Sequence, residues 1–198
     1  MRALAFSDLH RDLERGRSLV ERSSDFDVVI AAGDFANQHE GLAETINALV
    51  SITTPTILVP GNNETEDALR EACREWRAAT VLHGTSTEID GTTFFGLGAG
   101  VPTTPWDWSF DLSDDEAEAQ LADCPEGAVL VVHSPPQGHC DRSGAGEHLG
   151  SHAILDAIAL KQPPLAVCGH IHEAWGERSR IGPTEIANLG PGGAEFEV

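Results

Sequence analysis

Seven side chains able to hold a divalent metal ion, Asp8, His10, Asp34, Asn62, His133, His170 and His172, each stand just after an apolar run. ALAF is followed by Ser7-Asp8-Leu9-His10, DVVIAA by Gly33-Asp34, and TILVP by Gly61-Asn62-Asn63-Glu64. VLVV is followed by His133, and LAVC by Gly169-His170-Ile171-His172. Imidazole, carboxylate and amide oxygen together suit borderline or hard divalent ions such as Mn, Fe, Zn or Ni. Asp8 and His10 are two residues apart, as are His170 and His172. In an extended chain such residues point to the same side, so each pair can grip one centre or straddle two. Seven donors exceed what one catalytic zinc uses, which is about three protein ligands and a water. Two ions sharing a carboxylate would use them all, and Asp34, the lone carboxylate at its strand end, is the natural bridge. Such a pair lowers the pKa of bound water and neutralises charge on a phosphoryl group. Taken singly, an Asp or His after a strand reads as a cap or a solvated loop residue. Five such endings, two of them with paired donors, read as a metal site.

The elements that must position these groups are legible from apolar patterning. Strands are expected at Arg2–Ser7, Asp27–Ala32, Pro55–Pro60, Thr92–Leu97, Ala128–His133 and Leu165–Cys168. Several are continuous in Val, Ile, Leu and Ala, the pattern of strands buried on both faces. Helices are expected at Leu13–Arg22, Gly41–Ser51, Thr65–Arg77, Asp114–Ala122 and Ser151–Leu160. Ser113 with Glu116 is a capping box for the fourth, and Glu64 is expected to cap the helix that follows it. Alternating strands and helices make an α/β layered domain, and the carboxyl ends of strands line the site crevice of such sheets. Gly98–Asp111 is a loop carrying Trp106 and Trp108, and Ala174–Val198 reads as short strands and turns forming a second sheet or an antiparallel edge.

Length and composition bound the rest. A chain of 198 residues fits one domain, with a core large enough to need no disulfides. Four scattered cysteines with no CxxC pair read as reduced thiols, which suits a cytoplasm. The N-terminus is too soon polar for a signal peptide, and no apolar run reaches the length of a membrane span. Asp and Glu number 32 against 12 Lys and Arg, for a net charge of −20. That balance repels nucleic acid and anionic membranes. The charge is spread through segments that also carry apolar periodicity, so it reads as an acidic folded surface. A protein from a salty cytoplasm carries such a surface, and so does an ordinary acidic one.

The blocks SDLH, AGDF, GNNE, VVHSPP and GHIH, in that order over residues 7 to 172, resemble the calcineurin-like metallophosphoesterase family. The resemblance implies a four-layer αββα sandwich over residues 1–198, with a dinuclear metal site at strand carboxyl ends. It implies one divalent ion held by Asp8, His10, Asp34 and His172, and a second held by Asp34, Asn62, His133 and His170. A water-derived nucleophile would then attack phosphorus in line with the leaving oxygen of a small phosphate ester.

One position departs from the family pattern. Where the family usually carries Gly-Asn-His, this chain has Asn63. The family His contacts phosphate and helps the leaving group depart. An amide can donate a hydrogen bond to phosphate but cannot hand over a proton near neutral pH. Phosphodiesters with good leaving groups are therefore the expected substrates, and alkyl phosphomonoesters poor ones.

Among the other histidines, His148 is the candidate substitute acid. It lies in a Gly-rich stretch after His133 that resembles a loop lying by the active site in related members. His83 reads as structural, and His39 as a helix start or a neighbour of the site. Arg142 reads as a phosphate contact or as an ion pair with Asp141 or Glu147. Trp106 and Trp108 read as a platform for an aromatic or nucleoside leaving group, or as a lid over the core edge. Two other functions share this fold: a binding or scaffold protein with a degenerate metal site, and a DNA nuclease. Every donor position is filled here, and neither an added domain nor a basic surface is visible.

Overall fold

The structure is a computed structural model describing all 198 residues. Eleven strands are β1 (Arg2–Phe6), β2 (Val28–Ala31), β3 (Thr56–Leu58), β4 (Ala79–Val81), β5 (Thr85–Ile89), β6 (Thr92–Leu97), β7 (Val129–Val132), β8 (Leu165–Cys168), β9 (Arg178–Ile181), β10 (Thr184–Asn188) and β11 (Ala194–Glu197). Five helices are α1 (Leu13–Ser23), α2 (Leu42–Leu49), α3 (Glu66–Ala72), α4 (Asp114–Leu121) and α5 (His152–Lys161). One sheet has the order β11-β1-β2-β3-β4 and the other β5-β6-β7-β8-β10-β9. The inner strands of both sheets run parallel, while β11, β5 and β9 pair antiparallel at the edges.

Strand alternation sorts the side chains into three cores. On β1, Leu4 and Phe6 join Leu19 of α1 and Ile46 of α2, while Ala3 and Ala5 face the other way. These alanines meet Val129, Val131 and Val167 of the second sheet, so the two sheets pack face to face. The outer face of the second sheet, with Leu130, Val132 and Ala166, packs on Leu121 of α4 and Ile154 and Ile158 of α5. Helices, sheet, sheet and helices therefore stack in four layers, the expected αββα sandwich.

Several local expectations hold, and others do not. The capping box of α4 is present, Ser113 accepting from Glu116 N. The C-terminal strands form antiparallel edges on both sheets. By contrast, α3 stops at Ala72 rather than Arg77. Trp76 N donates to Cys73 O at 2.8 Å and its indole N donates to Ile52 O at 2.9 Å, which turns the chain into β4. The strands β4 and β5 were not expected. β4 is three residues long, and β5 is a mostly polar edge strand.

Candidate metal centre

The carboxyl ends of β1, β2, β3, β7 and β8 converge across both sheets and bring the seven candidate donors together. Asp8, His10, Asp34 and His172 place one donor atom each within 4.8 Å of one another, and so do Asp34, His133 and His170. Asp34 belongs to both groups. Its Oδ2 lies 3.5 Å from His10 Nε2 and its Oδ1 lies 3.4 Å from His133 Nε2. Asn62 Oδ1 sits 3.3 Å from His133 Nε2 and 3.1 Å from His170 Nδ1, completing the second group.

The backbone is bent to achieve this. Asp8, His10, Asp34 and His170 all have positive φ, at 55°, 44°, 59° and 67°. Non-glycine residues avoid that region, and clusters of such conformations persist where function over-determines them. At Gly61 a Cβ would collide with Asp34 Oδ1, and at Gly169 with Asp8 Oδ2. Glycine at these two turns is what lets the carboxylates reach inward.

Hydrogen bonds aim the donors. His133 Nδ1 meets Ala32 O at 2.7 Å and His10 Nδ1 meets Ala36 O at 3.1 Å. A carbonyl only accepts, so Nδ1 carries the proton in both rings and Nε2 faces the centre unprotonated when the ring is neutral. Asp8 is fixed by Ser7 Oγ, by Trp175 Nε1 at 3.1 Å and by the His170 backbone N–H at 3.1 Å. His10 Nε2 and His172 Nε2 lie 3.0 Å apart, two imidazole nitrogens converging where a shared cation would satisfy both. This donor set, its convergence and its glycine cradle fit a pair of divalent ions.

Burial and charge set the protonation. Burial raises Asp8, whereas for Asp34 burial is outweighed by the nearby His133, which holds its carboxyl well below the usual range. Burial lowers His133, but the Asp34 charge dominates and carries it up to about 9. Burial and the neighbouring His133 push His170 down to about 3, which leaves it a neutral donor.

Glu64 does something other than cap α3, whose N-cap is Thr65. It is fully buried, and its Oε1 accepts from Asp34 N at 2.8 Å and Gly61 N at 2.7 Å. Its Oε2 accepts from Phe35 N at 3.0 Å and Ala36 N at 2.9 Å. Burial and the Asp34 charge push it up to about 7, and its bonds to Ala36 and Gly61 pull the other way. One carboxylate thus ties together the turns that carry Asp34 and Asn62. Three of its four partners are backbone N–H groups of a distant segment, which leave no mark in residue type. In Glu64→Gln the amide NH2 would face two of these donors. The expected cost is about 3 kcal/mol, from two buried donors at ~1–3 kcal/mol each. A thermal melt should fall by about 6–12 °C for a chain of this size. An unchanged melting temperature would remove Glu64 from this role.

The remaining expected residues divide. Asn63 lines the cavity above the donors, but both ends of its amide are engaged. Its Oδ1 accepts from Gln38 N at 2.8 Å, and its Nδ2 donates to Asp34 Oδ2 at 2.8 Å. His148 lines the same cavity, with Nδ1 2.6 Å from Oδ1 of the buried Asp141. His83 Nδ1 accepts from Gly98 N at 3.1 Å, a structural contact. His39 starts no helix; α2 begins at Leu42, and His39 Nε2 binds Trp108 O at 2.6 Å. Arg142 neither lines the cavity nor forms an ion pair with Asp141 or Glu147. Trp175 escaped the sequence reading; it packs on His172 at 4.3 Å between ring centroids. Its only sequence signal is nearness to GHIH.

The sequence profile of the calcineurin-like phosphoesterase superfamily domain matches residues 1–197. The chain is 34% identical over 109 residues to UPF0046 protein T07D4.2 of Caenorhabditis elegans. That match covers 50% of this chain and 25% of that relative, so the chain spans only a quarter of its length. Among solved structures, TT1561 of Thermus thermophilus is similar at a TM-score of 0.77 and 18% identity, over 96% of this chain and 90% of that one. A dimetal phosphatase from Danio rerio is similar at 0.66 and 12% identity, over 96% and 88%. At these identities the likeness is one of fold. No helix is long and apolar enough to cross a membrane.

Proposed function

The chain belongs to the calcineurin-like phosphoesterase superfamily, and from that premise we propose that it is a dinuclear-metal phosphoesterase favouring phosphodiesters with good leaving groups. The observation that carries this reading is Asp34, whose two oxygens face two separate groups of donors. Asp8, His10, Asp34 and His172 would hold one divalent ion, and Asp34, Asn62, His133 and His170 the other. When bound, such ions supply charge neutralisation of the phosphoryl oxygens and a water of lowered pKa. Mn, Fe, Ni and Zn all suit this mixture of imidazole, carboxylate and amide. Residues 1–198 act in this proposal as one phosphoesterase domain.

The protein's own side chains set the ester preference. Asn63 hydrogen-bonds Asp34 and so holds the shared carboxylate in place. Its second Nδ2 hydrogen, which meets Asn62 Oδ1 only at 3.4 Å, is the one it can offer a bound phosphate, and it has no transferable proton. His148 is the substitute proton donor in this reading: it is on the cavity wall with Nδ1 held by Asp141. It bonds none of the seven donors, whereas position 63 bonds Asp34 directly, so it replaces the family acid only in part. The bond to Asp141 leaves Nε2 as the nitrogen that gives a proton to a leaving oxygen when the ring is the imidazolium cation. A diester leaving as a phenolate needs little such help; an alkyl monoester needs most.

The test is hydrolysis of bis-p-nitrophenyl phosphate and p-nitrophenyl phosphate by chelator-stripped protein, at high salt, with Mn, Ni, Zn and Mg restored in turn. Turnover should require metal and favour the diester. Absence of metal-dependent turnover on both esters removes the enzyme, and preference for the monoester removes the diester reading.

A further inference from the structure

The cavity over the donors measures about 630 Å³, and no Lys or Arg is among its 21 lining residues. The chain leaves five large apolar side chains exposed: Val50, Trp106, Leu149, Leu160 and Trp175. Trp106 and Leu149 both line this cavity, and Trp175 packs on its wall residue His172. Exposed apolar surface gathered in one place marks a binding site. Trp106 and Trp108 are stacked with ring centroids 5.4 Å apart and planes 10° apart. Trp108 covers one face of Trp106, which lines the cavity and remains 50% exposed.

The loop that carries this pair is anchored to the metal centre. Asn62 Nδ2 donates to Ser109 Oγ at 2.9 Å, and Ser109 Oγ donates to Asp111 Oδ1 at 2.7 Å. Asp111 Oδ2 accepts from Thr104 N at 2.7 Å and from Thr104 Oγ1 at 2.8 Å. Phe110 N donates to Asn62 O at 3.0 Å, and His39 Nε2 donates to Trp108 O at 2.6 Å. A side-chain donor of the second metal group thus shares its hydrogen bonds with the loop that presents the indoles. The stacked pair is held at a set place relative to the candidate metal donors, and holding a binding element in advance removes the cost of ordering it.

We propose that this wall is the subsite for the organic group of the substrate: an uncharged planar ring, aryl or nucleobase, laid on the face of Trp106 away from Trp108. The ester would carry a single phosphate. The proposal rests on the phosphoesterase reading for the placement of that phosphate. The absence of wall cations supplies the second half. Away from the ions that hold the reacting phosphate, an additional phosphate on the substrate would meet no Lys or Arg and the carboxylates of Asp114 and Glu173, in a chain of net charge −20. Like charge without a partner is rejected there.

Three measurements test it. Trp106→Ala should raise KM for bis-p-nitrophenyl phosphate roughly tenfold, the size of loss seen when an aromatic stacking platform is removed. The rise should be distinctly smaller for glycerophosphocholine, a diester with no ring, and Trp106→Phe should recover most of the loss. Equal penalties on both esters, or no penalty on either, overturn the proposal. Adding a 3′-phosphate to p-nitrophenyl thymidine 5′-phosphate should raise KM at least about tenfold; an equal KM overturns the charge argument. Quenching of tryptophan fluorescence by adenosine in metal-free protein gives a readout independent of catalysis. Quenching lost in Trp106→Ala supports the subsite even if no diester is hydrolysed, which would then count against the phosphoesterase reading alone. No quenching in the unsubstituted protein overturns the subsite.

Discussion

Asp34→Asn is expected to lower kcat/KM for bis-p-nitrophenyl phosphate by at least about a hundredfold, the upper end of what losing a partner behind a metal ligand costs. Asp34 is not behind a ligand. Its Oδ1 and Oδ2 face the two donor groups separately, at 3.4 Å from His133 and 3.5 Å from His10. The amide keeps the shape but offers one neutral oxygen and one NH2, so one group loses its carboxylate contact and both lose the shared charge. The NH2 would also turn toward a donor, either Asn63 Nδ2 or the Asn63 backbone N–H, which now reach Asp34 at 2.8 and 2.9 Å. A melting curve recorded alongside separates loss of the site from loss of the fold. Activity within a few-fold of the unsubstituted protein would show that Asp34 is not shared.

Asn63→His is expected to raise turnover of an alkyl phosphomonoester such as glycerol phosphate by about a hundredfold or more, within the ~10²–10⁴ that a positioned acid contributes. Hydrolysis of bis-p-nitrophenyl phosphate should change far less, because its phenolate leaves without a proton. The structure also sets a cost for this exchange. The present amide satisfies Gln38 N and Asp34 Oδ2 together, and an imidazole can replace at most one of those bonds in its donor role. A modest fall in diester turnover alongside the gain is therefore expected. An unchanged ratio of monoester to diester turnover would show that position 63 does not decide the preference.

What could be read from the sequence, and what could not, follows from how local each signal is. The six strands that carry or flank the donors were legible because burial on both faces writes a continuous apolar run, as in VVIA of β2 and VLVV of β7. The convergence of the seven candidate donors was legible because a metal site needs particular residue types, and a strand end places them. The four layers came from the family resemblance rather than from patterning; in the structure Ala3 and Ala5 turn inward between the sheets and Leu4 and Phe6 turn to the helices. β4 and β5 escaped because their order comes from pairing. β4 adds three residues beside β3, and β5 is an edge strand with one face to solvent. Glu64 was misread for a related reason. A carboxylate before a helix ordinarily serves that helix, and only the fold shows four N–H groups converging on it from two turns. The position of His148 against Asp141 is likewise a product of the loop between β7 and α5, where residue types alone named no partner for it.

The central claim is that two ions share Asp34, and a calorimetric titration of chelator-stripped protein with Mn tests it most directly. The unsubstituted chain should take up two ions per chain, with protons released as His133 gives up the proton that Asp34 now favours on it. Asp34→Asn should retain one ion at most, and turnover of bis-p-nitrophenyl phosphate should return only as the second ion binds the unsubstituted chain. A single ion per chain in the unsubstituted protein, or two in Asp34→Asn at undiminished affinity, would contradict it.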